Sequence, residues 1–195
     1  MAYSIGSSDD SCYEGTLVLI NKLGIRDENE LNEIETIVTT TKITMLLSQP
    51  YSGDLTADHL CELHRSIMGD LYDWAGEIRT VPLSKKGTTF HSPEGLEKAV
   101  RSLFKHLNDE NCFLDLNDDE YARAVAEFYS DLNLLHPFRE GNGRTQRVMI
   151  TQLIERSGRS IDFSSCDKDM LMIATIHAAQ GVLDHLTEFF KTELH

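Results

Sequence analysis

The stretch His136-Pro137-Phe138-Arg139-Glu140-Gly141-Asn142-Gly143-Arg144-Thr145-Gln146-Arg147 joins two helical patterns through a single bend. Pro137 ends the preceding helix at about His136, because its ring disfavours the helical conformation in the residue before it. His136 then stands at a helix end, with its ring available to a cleft. Gly141, Asn142 and Gly143 let the backbone take unusual dihedrals and come close to a ligand. A helix starts immediately afterwards, so N–H groups at its N-terminus, beside a glycine-rich loop, form an anion site. Arg144 and Arg147 lie three residues apart on one helix face. Two guanidinium forks facing one way suit a polyphosphate. Glu140 adds a carboxylate, a natural partner for Mg²⁺, which keeps several waters and bridges phosphate oxygens. Phe138 reads as a core anchor that pins the loop. One base, one metal carboxylate, one anion nest and two phosphate arginines describe a phosphoryl- or nucleotidyl-transfer site. In such sites positioning and charge neutralisation supply most of the catalysis.

Taken singly, each of these residues has an ordinary reading. A histidine after a helix is commonly structural, Gly-Asn-Gly is commonly a turn, and arginines at i and i+3 commonly make a solvated face. Their concurrence within twelve residues is the signal, and the charge of the chain sharpens it. Formal net charge is −14, with 18 Lys+Arg against 32 Asp+Glu. That excludes the cationic field that generic nucleic-acid binding requires. Any polyanion must be held by a focused local site.

Outward from the bend, most of the pattern is helical. Asp27 with Glu30 resembles a capping box that opens a helix to about Leu47, with Leu31, Ile34, Ile37 and Val38 on its apolar face. Gln49 to Asp54 is a turn. Thr56 caps a helix carrying Leu60, Leu63 and Ile67. From Arg79 to Phe90 the period changes to two, and Lys86-Gly87 supplies the turn of a short β-hairpin. Ser92-Pro93-Glu94 predicts a helix start, running to about Leu107. Asn117 and Glu120 form a capping box before a helix that buries Tyr121, Val125, Phe128 and Leu132. The next helix runs from about Gly143 to a terminal glycine at Gly158. The last spans about Asp167 to Phe190. The fold expected is all-α, a helical bundle with one small β-hairpin. Residues 1–12 read as a loose segment and 13–195 as a single domain.

The four cysteines, Cys12, Cys61, Cys112 and Cys166, are scattered without a C-x-x-C pair, so they read as reduced thiols. The eight histidines form no i, i+4 pair beside a glutamate of the zinc-hydrolase kind. Nothing resembles a signal peptide or a membrane span, so the expected location is cytoplasmic.

At every specified position, residues 136–147 match the Fic motif, H-P-F-x-[D/E]-G-N-G-R-x-x-R. Tyr72-Asp73-Trp74-Ala75-Gly76-Glu77-Ile78-Arg79 resembles the stretch that precedes the hairpin "flap" of that family. Tyr13-Glu14-Gly15-Thr16 with Asn21-Lys22-Leu23-Gly24-Ile25 resembles the N-terminal segment of the Fic subgroup found as toxins. The resemblance implies a Fic-type bundle that transfers AMP from Mg-ATP to a Tyr, Thr or Ser hydroxyl of a target protein, releasing pyrophosphate. It implies that His136 is the general base, that an imidazole near its unperturbed pKa suits that role, and that Glu140 ligates Mg²⁺ between the α- and β-phosphates. Gly141, Asn142 and Gly143 would form the anion nest, with Arg144 on the β-phosphate and Arg147 on the γ-phosphate. The hairpin would dock an extended target segment by strand addition, with Val81 or Leu83 pinning the target side chain and Lys85 and Gly87 completing the flap. Pro82 lacks an N–H and fits only on an edge.

Many Fic proteins silence themselves with a helix carrying [S/T]-x-x-x-E-[G/N]. Here Glu stands before Gly or Asn at Glu14, Glu28, Glu94, Glu110 and Glu140, and four residues earlier stand Asp10, Gly24, Phe90, His106 and His136. None is Ser or Thr. The resemblance therefore implies an inhibitory helix donated by a small antitoxin, or no such control. The alternatives carried are transfer of UMP or GMP, a Fic-fold kinase, removal of AMP, and a catalytically silent nucleotide-binding module.

Overall fold

A computed structural model describes residues 11–85 and 88–195. In chain order the elements are α1 (Glu28–Leu47), α2 (Ala57–Met68), β1 (Ser84–Lys85), β2 (Thr88–Thr89), α3 (Leu96–Asp109), α4 (Asp118–Leu135), α5 (Asn142–Arg156), α6 (Lys168–Ala179) and α7 (Asp184–Glu193). The fold is all-α with one two-stranded antiparallel hairpin, as the sequence predicts.

The caps explain where the helices begin. Asp27 accepts from the N–H groups of Asn29 and Glu30, and Thr56 accepts from His59. At α4, Asn117 and Glu120 complete a reciprocal capping box. These bonds satisfy donors that the first helical turn leaves unpaired. α5 ends at Ser157, followed by Gly158 in the left-handed conformation (φ 78°).

α5 is buried on almost every side, from Asn142 through Ile154. It packs against α2 and α4, while α4 also meets α3, α6 and α7. Leu60, Ile67, Val125, Leu132, Met149, Ile150 and Leu153 are fully buried in one apolar cluster that runs from Leu19 to Phe190. The bend at 136–141 joins two buried helices, α4 and α5, so its backbone is fixed from both ends by the core.

Several elements differ from expectation. Leu31 is buried and Ile34 and Val38 pack against the core as expected, but Ile37 is 63% exposed, and Glu35 and Thr39 join Leu31 on the buried face of α1. The reason is register: 31, 35 and 39 form a straight i, i+4 row, and its middle member is a carboxylate. α3 begins at Leu96 behind Gly95 (φ 75°), because Ser92 accepts from Glu94 N–H and closes a turn there first. The expected final helix is two, since Gly181 (φ 88°) stops α6. A left-handed turn at Asn111–Phe113 (φ 51°, 52° and 65°) follows α3. The hairpin ladder is shorter than 79–90. Finally, Ser11 and Cys12, placed in the loose segment, are tied down: Cys12 bridges Leu19, and Ser11 C=O accepts from Ile20 N–H. Residues 1–10 of that segment lie outside the described residues.

Candidate active site

His136 caps α4 in the left-handed conformation (φ 46°, ψ 61°), which turns the chain sharply into Pro137. Its Nδ1 lies 3.0 Å from Asn133 C=O. A carbonyl only accepts, so Nδ1 carries the proton and Nε2 is the proton-accepting nitrogen. Phe90, just after β2, stacks on the ring at 3.7 Å between centroids. Burial pushes the imidazole down to about 3; the Asn133 carbonyl acts against this, and Lys85 and Arg79 add to it. The expectation of a near-normal pKa is therefore corrected.

Three contacts from distant chain segments shape the bend. Phe138 is buried and stacks on His64 at 3.8 Å. His64 Nδ1 accepts from Gly76 N–H at 2.7 Å, so its Nε2 donates to Glu140 C=O at 2.9 Å. Burial lowers His64 to about 4, which keeps this neutral relay intact. Asn142 is 1% exposed, and its amide is committed: Oδ1 accepts from Phe138 N–H at 2.8 Å and Nδ2 donates to Phe138 C=O at 2.6 Å. It serves the nest through its backbone alone. Gly141 has φ 76°, and a Cβ there would meet Met68 Sδ at 2.9 Å, so only glycine fits. Arg79 anchors the flap to this bend, donating to the carbonyls of His136, Val81, His91 and Leu135.

The charged groups converge in front of α5. One cavity of about 500 Å³ is lined by His136, Glu140, Gly141, Gly143, Arg144 and Arg147, with Lys85, Thr88 and Phe90 of the hairpin at its rim. Its far wall is apolar, built by Phe163, Leu171, Met172 and Ile176 around α6. A second cavity of about 490 Å³ lies against α1 and shares Lys85, Glu140, Arg144 and Arg147 with the first. Glu140 Oε1 accepts from Gly141 N–H at 2.9 Å and lies 3.5 Å from Arg144 Nη2. The guanidinium of Arg144 is held further by Glu35 and Thr39. Burial acts to lower Arg144, but the carboxylates of Glu35 and Glu140 outweigh it and raise it. Arg139, at the variable motif position, turns to the N-terminal segment and donates to Ser11 Oγ at 3.0 Å.

Of the flap residues, Lys85 reaches both cavities, whereas Val81 and Leu83 line neither. Leu83 is 2% exposed and packs with Phe90 and Val81 in a small cluster beneath the hairpin. The expected pin is thus the hairpin's own core, because a two-residue ladder needs an apolar base. Gly87 lies outside the described residues. His64, Arg79, Glu35 and the α6 wall were not found from sequence. Their partners are far away in the chain, and only Arg79 left a trace, as the last residue of the stretch before the hairpin.

Compared with known proteins, residues 54–154 match the family model described as Fic/DOC family. The chain is 35% identical over 176 residues to "Probable protein adenylyltransferase y4lH" of Sinorhizobium fredii, covering 90% of each. It is 31% identical over 189 residues to "Protein adenylyltransferase VbhT" of Bartonella schoenbuchensis, spanning 97% of this chain and 40% of that protein. Among solved structures, BepC, a VirB-translocated effector of Bartonella tribocorum with bound AMPPNP, superposes with a TM-score of 0.89. The identity is 28%, with 95% of this chain and 96% of that one covered.

Proposed function

The chain belongs to the Fic/DOC family and is a protein adenylyltransferase, and on that premise we propose how its residues divide the transfer of AMP from Mg-ATP to a protein hydroxyl. The observation that carries the proposal is the shared cavity. One proton acceptor, two arginines, a carboxylate and a helix N-terminus all line it together.

His136 Nε2 takes the proton of the target hydroxyl as its oxygen attacks the α-phosphorus. The bond from the α-phosphorus to the bridging oxygen breaks, and pyrophosphate leaves with that oxygen. Arg144 and Arg147 neutralise the β- and γ-phosphates, and the N–H groups around Gly141 to Gly143 add dipoles to the same anion. The apolar wall on α6 gives the adenine ring a dry face to pack against. Residues fit a magnesium ion: one half-buried carboxylate, Glu140, faces the anion site, and Mg²⁺ is commonly held by one or two carboxylates plus phosphate oxygens. Among the described residues no cluster of three or more His, Cys, Asp or Glu competes for it. When bound, the ion supplies charge neutralisation and orientation of the phosphates. Lys85 at the rim guides the incoming target segment.

No helix among the described residues is long and apolar enough to cross a membrane, and a cytoplasmic location fits the reduced cysteines. Control in trans is proposed too. The second cavity is a groove lined by Leu31, Asn32, Thr36, Thr40 and Ile43 that ends at Arg147. A helix from a small antitoxin, lying there with one glutamate, reaches that guanidinium. Co-expression with a small reading frame that encodes such a helix then relieves growth arrest; a chain that is active yet harmless alone contradicts the toxin role.

Parallel incubation with α- and γ-labelled ATP tests the reaction. Label on protein from the α position only is expected. Label retained from the γ position only assigns a kinase and defeats the proposal.

A further inference from the structure

Glu35 sits where an amphipathic helix ordinarily places an apolar residue. It is buried, between Leu31 and Thr39 on the inner face of α1. Both its oxygens are engaged. Oε2 accepts from the Tyr72 hydroxyl at 2.6 Å, and Oε1 accepts from Arg144 Nη2 at 2.5 Å. One turn further on, Thr39 Oγ1 accepts from Arg144 Nη1 at 3.3 Å while donating to Glu35 C=O at 2.7 Å. Two side chains of one rigid helix therefore hold both terminal nitrogens of one guanidinium.

The direction of this grip decides what it does. Glu35, Thr39 and Tyr72 line the groove against α1 and not the nucleotide cavity; Arg144 lines both. The carboxylate reaches Arg144 from the groove, and the same arginine also lines the nucleotide cavity. An arginine side chain carries substantial rotamer entropy, and fixing it beforehand removes that cost from ligand binding. Burying a carboxylate without partners is costly, and the Tyr72 phenol and Arg144 offset that cost only if all three stay in register.

We infer that Glu35, braced by Tyr72, is a positioning residue that presets Arg144 for the β-phosphate. The inference rests on the reading of Arg144 as the β-phosphate ligand, and AMP, which lacks that phosphate, separates the two claims. Binding of AMP and of Mg-ADP is measured by calorimetry for the wild type, Glu35→Gln, Tyr72→Phe and Arg144→Ala. The wild type prefers ADP, and Arg144→Ala reduces that preference. Glu35→Gln weakens ADP roughly tenfold, the scale of a charge-assisted bond, and leaves AMP within about twofold. Tyr72→Phe, which keeps the carboxylate and the packing, does the same to a smaller degree and carries the test if Glu35→Gln folds poorly. Equal weakening of AMP and ADP makes Glu35 mere scaffolding and overturns the inference. So does tighter ADP binding or faster transfer in Glu35→Gln, which makes the contact a latch. If Arg144→Ala keeps the ADP preference undiminished, the phosphate reading itself fails.

Discussion

His136 is a base beneath a phenyl ring, 6% exposed and held at about 3. A lowered pKa favours the neutral form, so the imidazole accepts a proton at every pH above that value. Such a base draws the proton weakly; a polyphosphate in the same cavity favours the imidazolium and raises its pull. In nucleotide-free enzyme the His136 C2–H resonance is therefore expected to stay constant from pH 5 to pH 8. A titration midpoint near 6.5 would contradict the burial argument. The motif residues were legible in the sequence because twelve consecutive positions carry them. The roles of Glu35, Tyr72, His64 and Arg79 were not, because the contacts that define them reach from 12 to 109 residues along the chain. Nothing local marks such a pairing, and burial of His136 depends on Phe90, which the hairpin delivers from 46 positions upstream.

Among the elements, the 136–141 bend is held by packing rather than by its own turn chemistry. Asn142 replaces a missing strand or helix bond pair by clamping Phe138 on both sides. Removing that amide leaves a buried N–H and C=O unsatisfied, a loss of about 2–4 kcal/mol for two bonds. Asn142→Ala is expected to lower Tm by roughly 5–10 °C and to abolish transfer by loosening the nest. A variant that melts like the wild type would show that the clamp is dispensable. Helices with capping residues were readable, as Asp27, Thr56 and Asn117 show. The break between α6 and α7 was not, because apolar residues continue across Gly181 and one glycine decides it. In α1, Ile37 faces solvent while Glu35 takes a place on the buried face. A carboxylate is counted as outward until its partner is known.

At the scale of the molecule, a chain of net charge −14 gathers Lys85, Arg144, Arg147 and Lys168 around one cavity. The acidic remainder repels polyanions everywhere else and focuses them there. The bundle supplies the rigidity: both central helices end at the bend, so base and phosphate ligands are set by the core rather than by a loop. Composition foretold the focused site, and helical periodicity foretold the bundle. The shape of the cavity was beyond both, since α6 closes it from more than 20 residues past the motif.

The central claim is that His136 transfers a proton while the cavity around it holds the nucleotide. It is tested by intact-mass spectrometry of lysate proteins incubated with Mg-ATP and either wild-type or His136→Ala enzyme, with ATP binding measured on both. The account predicts addition of one AMP by the wild type, loss of that product by a factor of roughly 10²–10⁴ in the variant, and retained ATP binding. AMP addition at wild-type rate by His136→Ala would contradict it.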